Sequence, residues 1–411
     1  MDNLSARTLV IILWLLAANA ALGQPEPVLW ATTVQSPTTA DVVEVQNQPG
    51  TPCGFWNWGI NGLPDAATGL WWDDPRGPLL FVLRSTLNVN GIAWVDVYTQ
   101  TGAPPYFPAG SFPLTIPNSV GNSITVQIPT GIVVVAQPPV PGVSPATVSY
   151  YNPPAYGLLM THACPNQIAS FDHITGDCQG NLFSLATDVN GIPVLTCLPD
   201  PRVAGCPCPG IIQQLPVQPP VGSTWNNEYI TCDKLGGVWM CGSYGAGRLD
   251  GEVWYYNGRY PVFLPYIPPV GQTRGGRFIF PAFDPNPANC DQVDVYVAEQ
   301  STMPGATTAR IYRLRFTPAP TAITIVNNFR YANPPVHDAL GTINVETAGA
   351  TPGFVWLTVA DLTVGQTLFD QFNAMLAPIV PCGLATAGGN FSPWAQGSGS
   401  RYSRLVCPTC P

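Results

Sequence analysis

At 411 residues the chain is long enough for one large domain or two to three ordinary ones. Charged residues make up only 9% of it, against about 25% in ordinary soluble domains; the net charge is −9, the pI is near 4.6, and Lys234 is the single lysine. That balance argues against a nucleic-acid surface, which needs a basic face to displace counterions, and against electrostatic docking to anionic lipid.

The first element is an apolar run, Leu9 to Ala18, behind Arg7 and the amino group, followed by small residues. This order predicts a signal peptide over 1–23, cleaved after Ala20 or Gly23, although Asp2 dilutes its positive start. The run is short for a bilayer span of about 18–20 residues, and no later run approaches that length. The expectation is a secreted or extracytoplasmic surface protein with no transmembrane span after signal removal.

Residues 55–74 follow, where Trp56, Trp58, Trp71 and Trp72 crowd around Asp65, Asp73 and Asp74. Indole faces can stack on sugar rings and carboxylates can accept hydroxyl hydrogen bonds, so this is the candidate ligand site. Asp73 and Asp74 would diverge on a strand, so acid–base work on a glycosidic bond would need a partner from elsewhere. Buried tryptophans with a turn at Asp73 to Gly77 are the commoner use of such residues.

Beyond it the chain reads as short strands and turns. "LFVLRSTLNVNGIAWV" (Leu80 to Val95) is echoed by "LFSLATDVNGIPVL" (Leu182 to Leu195), with Asn90-Gly91 and Asn190-Gly191 spaced by 100 residues. Each is a strand, a tight turn and a returning strand; Asn-Gly suits a type I′ turn with two positive φ angles. Internal repetition and chance similarity both account for the pair. "GIVVVA" at Gly131 to Ala136 lacks polar alternation, which predicts a strand covered on both faces. In "FDHITGD", Asp172 and His173 are adjacent, and strand alternation sends them to opposite faces. "GEVWYYNGRYPVFLPY" gathers Trp254, Tyr255, Tyr256, Tyr260 and Tyr266 around Asn257-Gly258 and Arg259, a hairpin whose tip has the composition of a recognition surface. Alternation marks strands at Val293 to Val297, at Tyr312 to Phe316 with Arg313 and Arg315 on the opposite face, and at Ile323 to Ile325. Val364 to Leu376 is the predicted helix.

Twelve cysteines, Cys53, Cys164, Cys178, Cys197, Cys206, Cys208, Cys232, Cys241, Cys290, Cys382, Cys407 and Cys410, fit an oxidising compartment and are disulfide candidates, with pairing open. Cys206-Pro207-Cys208 is too short a ring to close on itself. Cys407-Pro408-Thr409-Cys410 has no strand–helix context for a redox couple, and His162, His173 and His337 are the only imidazoles, so a stapled tail over 382–411 is expected behind a β-rich domain over 24–381. Asn390 heads a glycosylation sequon weakened by the following Pro393.

The 47 prolines and 40 glycines punctuate these runs without a period, so the expected class is all-β. "VDVYVAEQSTMPGATTARIYRLRF", Val293 to Phe316, resembles the strand–loop–strand unit of β-propellers of the NHL-repeat type, and "GNLFSLATDVNGIPVL" resembles the inner hairpin of such a blade. The resemblance implies a single propeller of six or seven blades. The proline-rich stretches "PPVPGVSPATVSYYNPP" and "CPCPGIIQQLPVQPPVG" break an even repeat and leave tandem β-sandwiches as the alternative.

No phosphate loop, zinc helix, nucleophile elbow or dinucleotide fingerprint occurs, and no cofactor or metal is predicted. The composition therefore points to a non-catalytic surface, structural or binding component whose partners are other surface proteins or glycans. The alternatives are a carbohydrate-binding protein using the tryptophan-rich segment and a secreted propeller hydrolase with a central acidic site.

Overall fold

The computed structural model describes 107–200 nearly continuously (129 and 178 apart), 77–99 apart from 85, and elsewhere the strands with a few adjoining turn residues. The predicted signal peptide, the tail over 382–411 and Trp56 lie outside the described residues.

Among those residues the chain forms seven antiparallel sheets, each a meander whose strands pair in sequence order. The first has three strands, β1 (Pro27–Ser36), β2 (Thr39–Gln46) and β3 (Trp58–Leu63). The second holds β4 (Thr68–Asp74), β5 (Gly77–Leu83), β6 (Trp94–Thr99) and β7 (Phe107–Pro113). The third holds β8 (Ser123–Gln127), β9 (Ile132–Gln137), β10 (Thr147–Asn152) and β11 (Gly157–Ala163). The fourth holds β12 (Ile168–Gly176), β13 (Leu182–Asp188), β14 (Pro193–Leu198) and β15 (Gly210–Gln214). The fifth holds β16 (Trp225–Cys232), β17 (Gly237–Tyr244), β18 (Asp250–Asn257) and β19 (Val262–Tyr266). The sixth holds β20 (Arg277–Phe283), β21 (Val293–Gln300), β22 (Arg310–Pro318) and β23 (Thr321–Arg330). The seventh holds β24 (Ala339–Val345), β25 (Val355–Asp361), β26 (Gln366–Phe372) and β27 (Pro378–Val380).

First strands lie beside one another in the order β4, β8, β12, β16, β20, β24, and β1 touches β24. Each of sheets three to five buries both faces. In β9, Val133 and Val135 pack on sheet two while Ile132, Val134 and Ala136 pack on sheet four, which is why no polar residue alternates there. In β17, Val238 and Met240 face sheet four while Trp239 and Cys241 face sheet six. A sandwich pairs two sheets across one core; here each of these three sheets serves two cores, so the arrangement is propeller-like and the sandwich alternative is set aside.

The inner strands are tied to one another across the seams. Asn122 Nδ2 donates to the Phe171 carbonyl (2.8 Å), the Ile174 N–H donates to Ser123 Oγ (3.0 Å), and Gln127 Nε2 donates to the Gly180 carbonyl (2.9 Å). Residue numbers on both sides rise together, so β8 and β12 run parallel. Their starting ends share one face of the molecule, here termed the mouth.

The repeated hairpins join the second and third strands of sheets two and four, so the spacing noted in the sequence is two sheets. They are therefore middle hairpins, not inner ones. The turn also differs from the predicted type I′: φ is positive at Gly91 (71°) and Gly191 (80°), whereas Asn90 and Asn190 keep negative φ. The residue that opens each loop explains the choice. Asn88 Oδ1 accepts from the N–H groups of Asn90 (2.8 Å) and Ile92 (3.0 Å), and Asp188 Oδ1 accepts from those of Asn190 (2.8 Å) and Ile192 (2.8 Å). This side-chain clasp stabilises a type I turn closed by a left-handed glycine. Gly191→Ala is expected to cost about 1–2 kcal/mol through its φ alone. Gly91→Ala should lower the thermal midpoint further, because its Cβ would lie 2.5 Å from Asn118 Oδ1, whereas no atom lies within 4 Å of the corresponding position at Gly191.

Val364 to Leu376 does not form the predicted helix. β26 occupies most of it, paired along its length with β25 from Val355↔Phe372 to Asp361↔Gln366, and a turn follows in which Leu376 takes positive φ. A partner strand outweighs local helix propensity here.

Candidate functional site at the mouth

The site begins with an irregularity in β12. Phe171 pairs with Ala186 and His173 with Leu185, so Asp172 is an extra residue in the ladder. Such a bulge suspends the alternation that would separate neighbours. Asp172 and His173 both reach Asn227 on β16: Asn227 Nδ2 donates to Asp172 Oδ2 (2.7 Å), and His173 Nε2 lies 3.3 Å from the Asn227 carbonyl. The expectation that the pair diverges is thus corrected by the bulge.

A network of donors fixes the Asp172 carboxylate. Oδ1 accepts from Ser170 Oγ (2.7 Å), and Oδ2 accepts from Thr187 Oγ1 (2.9 Å) as well as from Asn227. Asn227 Nδ2 also reaches the Ala186 carbonyl (3.2 Å), while Trp225 Nε1 donates to Asn227 Oδ1 (2.7 Å). Asp172 itself is part-exposed. A carboxylate offers about four acceptor positions. Three are taken, two on Oδ2 and one on Oδ1, so a further position on Oδ1 can meet a proton.

Packing behind Asn227 holds Trp225 in place. Its indole lies against Gly242, where an added Cβ would collide with the ring and with the Asn226 carbonyl. Gly242→Ala is expected to cost about 1–3 kcal/mol by overpacking and to unseat the Trp225–Asn227 bond, measured as a fall in thermal midpoint.

Of the residues singled out in the sequence, Trp58 opens β3, opposite Glu44. Trp71, Trp72, Asp73 and Asp74 close β4, with Asp74 opposite Gly77 at the start of β5. That end of an inner strand is the one remote from the mouth, so Asp73 and Asp74 do not join Asp172. Among the described residues no group of three His, Cys, Asp or Glu side chains is placed to hold a metal ion. Asn227, Trp225, Thr187 and Ser170 were not foreseen. They carry no motif, and Asn227 lies 55 residues from Asp172.

Of the twelve disulfide candidates, three are corrected. Cys164 is disulfide-bonded, whereas Cys197, Cys232 and Cys241 are thiols. Cys232 is fully enclosed; burial, with Asp177 and Asp233 nearby, pushes its thiol well above the ordinary range and keeps it inert. The other eight candidates, like Asn390, fall outside the described residues.

No protein-family model and no curated protein matches this chain in sequence. Solved structures that share its fold include the following two. A periplasmic gluconolactonase of Pseudomonas aeruginosa superposes with a TM-score of 0.54 at 12% identity, covering 88% of this chain and 97% of its own. A putative 6-phosphogluconolactonase of Bacteroides fragilis gives 0.54 at 10% identity, covering 89% and 97%. Both are named as lactonases, so the composition-based expectation of a non-catalytic surface component, with its leaning away from an enzyme, does not stand.

Proposed function

We propose that the chain is an exported hydrolase of cyclic esters, in which Asp172 acts as general base at the mouth of a seven-bladed propeller closed by β1 against β24. The observation that carries this reading is the Asp172 carboxylate, clamped by three donors and holding a further acceptor position on Oδ1. The lactonase names of the two neighbours favour the same substrate class, and the periplasmic origin of one favours a place outside the cytoplasm.

In the proposed reaction Oδ1 takes a proton from water as the water oxygen attacks the ester carbonyl. The ring C–O bond then breaks, its oxygen leaves with the proton held by Asp172, and a hydroxy acid results. Asn227, Thr187 and Ser170 keep the carboxylate in one orientation throughout, which is the positioning that such a transfer requires.

The direct test is acid release in a pH-stat from glucono-δ-lactone and δ-valerolactone, measured against the uncatalysed rate. Catalysed ring opening is expected. A purified, folded protein that accelerates neither would overturn the reading.

A further inference from the structure

Sheets two, three and four share a feature that the Asp172 site does not use. Each turns from its second to its third strand at the mouth, and each tip holds an apolar side chain in water: Val89 (101% exposed, with Leu87 beside it), Val143 (59%) and Val189 (51%). Bonds to the chain just before an inner strand place all three on that face. The Asn118 N–H donates to the Gly91 carbonyl (2.7 Å) and the Val189 N–H to the Gln167 carbonyl (3.2 Å). Gln137 Nε2, at the base of the third-sheet tip, donates to the carbonyls of Ile116 (3.3 Å) and Ser119 (3.1 Å).

These tips are also firm and nearly free of charge. Two carry the Asn88 and Asp188 clasps, and the third is pinned by a bridge between Val140 and Ser144. The charged residues in the three connections are Arg84 and Asp188. Arg84 pairs with Asp96 at 2.7 Å, and Asp188 is turned onto its own backbone. A scattered exposed valine needs no explanation, but the same placement in three successive sheets does.

We propose that these three tips seat the mouth face on a neutral lipid surface. Protein partners are gripped through aromatic and arginine anchors; the tips hold no aromatic side chain, and their one arginine, Arg84, is engaged by Asp96, whereas the headgroup–acyl boundary accepts bare apolar side chains without directional bonds. The net charge of −9 selects a zwitterionic surface over an anionic one. This inference stands independently of the hydrolytic reading.

The experiment is co-sedimentation of the full chain with phosphatidylcholine vesicles at low and high salt. Partition is expected to survive high salt. Each of Val89→Ser, Val143→Ser and Val189→Ser should weaken it by about three- to tenfold, and the triple variant should lose it with its thermal midpoint unchanged. Absence of partition, partition untouched in the triple variant, or partition confined to anionic vesicles would overturn the proposal. So would concentration-dependent self-association that the triple variant abolishes, which would assign the tips to a second copy.

Discussion

Asp294→Ala is expected to destabilise the protein by about 3–5 kcal/mol, the cost of leaving the buried Arg313 guanidinium without its counter-charge. Asp294 on β21 has a side chain only 2% exposed. Arg313 Nη2 (2.5 Å) and Nε (3.0 Å) donate to its Oδ2, and Arg315 adds Nε to Oδ1 (2.6 Å) and Nη2 to Oδ2 (2.8 Å). Arg315, 30% exposed, can turn toward water when the carboxylate is gone. Arg313 cannot, because it is held over the Tyr296 ring at 5.6 Å and against Met375 Sδ at 3.8 Å. A fall in thermal midpoint reads the loss, and adding Arg313→Met should recover part of it by removing the stranded charge. No recovery would mean that the carboxylate, not the orphaned cation, carries the cost. The pH dependence has a definite sign. Burial raises the Asp294 carboxyl, but the Arg315 hydrogen bond and the Arg313 charge outweigh it and hold the group below its ordinary 3.8. A depressed carboxylate stabilises the fold above its unfolded value, and that contribution is lost as pH falls through the folded one. The wild type should therefore lose more stability than Asp294→Ala on acidification below about pH 4.

Asp172→Asn should lower kcat/KM for lactone opening by about 10²–10⁴ while the fold persists. Asparagine keeps the shape of the side chain but cannot take the proton. Its amide oxygen can still accept from Thr187 and Asn227, and its NH2 group, turned toward Ser170 Oγ, meets a hydroxyl that can rotate and accept. A stability cost of about 0.5–1.5 kcal/mol follows from trading charge-assisted hydrogen bonds for neutral ones, so the kinetic loss is read at a temperature where the variant is folded. Thr187→Ser retains the hydroxyl and serves as the control, with a loss of less than about tenfold expected. Equal turnover in Asp172→Asn and wild type would remove Asp172 from the chemistry.

Much of the architecture is legible in the residues because its cause is local. Val293, Val295 and Val297 alternate with Asp294 and Tyr296, and they become the buried row of β21, paired as expected with the "RIYRLRF" strand from Val293↔Phe316 onward. The polar-free "IVVVA" run became a strand with a core on each side. Where cause lay elsewhere in the chain, the reading failed. Gln366 to Phe372 is a strand because β25 offers a ladder, which no property of those seven residues announces. Asp172 looked separated from His173 because alternation assumes an unbroken ladder, and the extra residue in β12 is invisible without its partner strand. Asn227 and Trp225 gain their roles from a seam between sheets, and a seam joins segments that share no spacing.

The ordered succession of sheets has a consequence for how the molecule comes apart. Every described core is shared by two consecutive sheets, so cohesion passes from neighbour to neighbour along the chain as in a linear array. Loosening one member strips cover from just the two beside it and spares the distant ones. Hydrogen exchange should accordingly release amides in contiguous blocks of about one meander each, with Asp172 and Asn227, which lie on adjacent meanders, in neighbouring blocks.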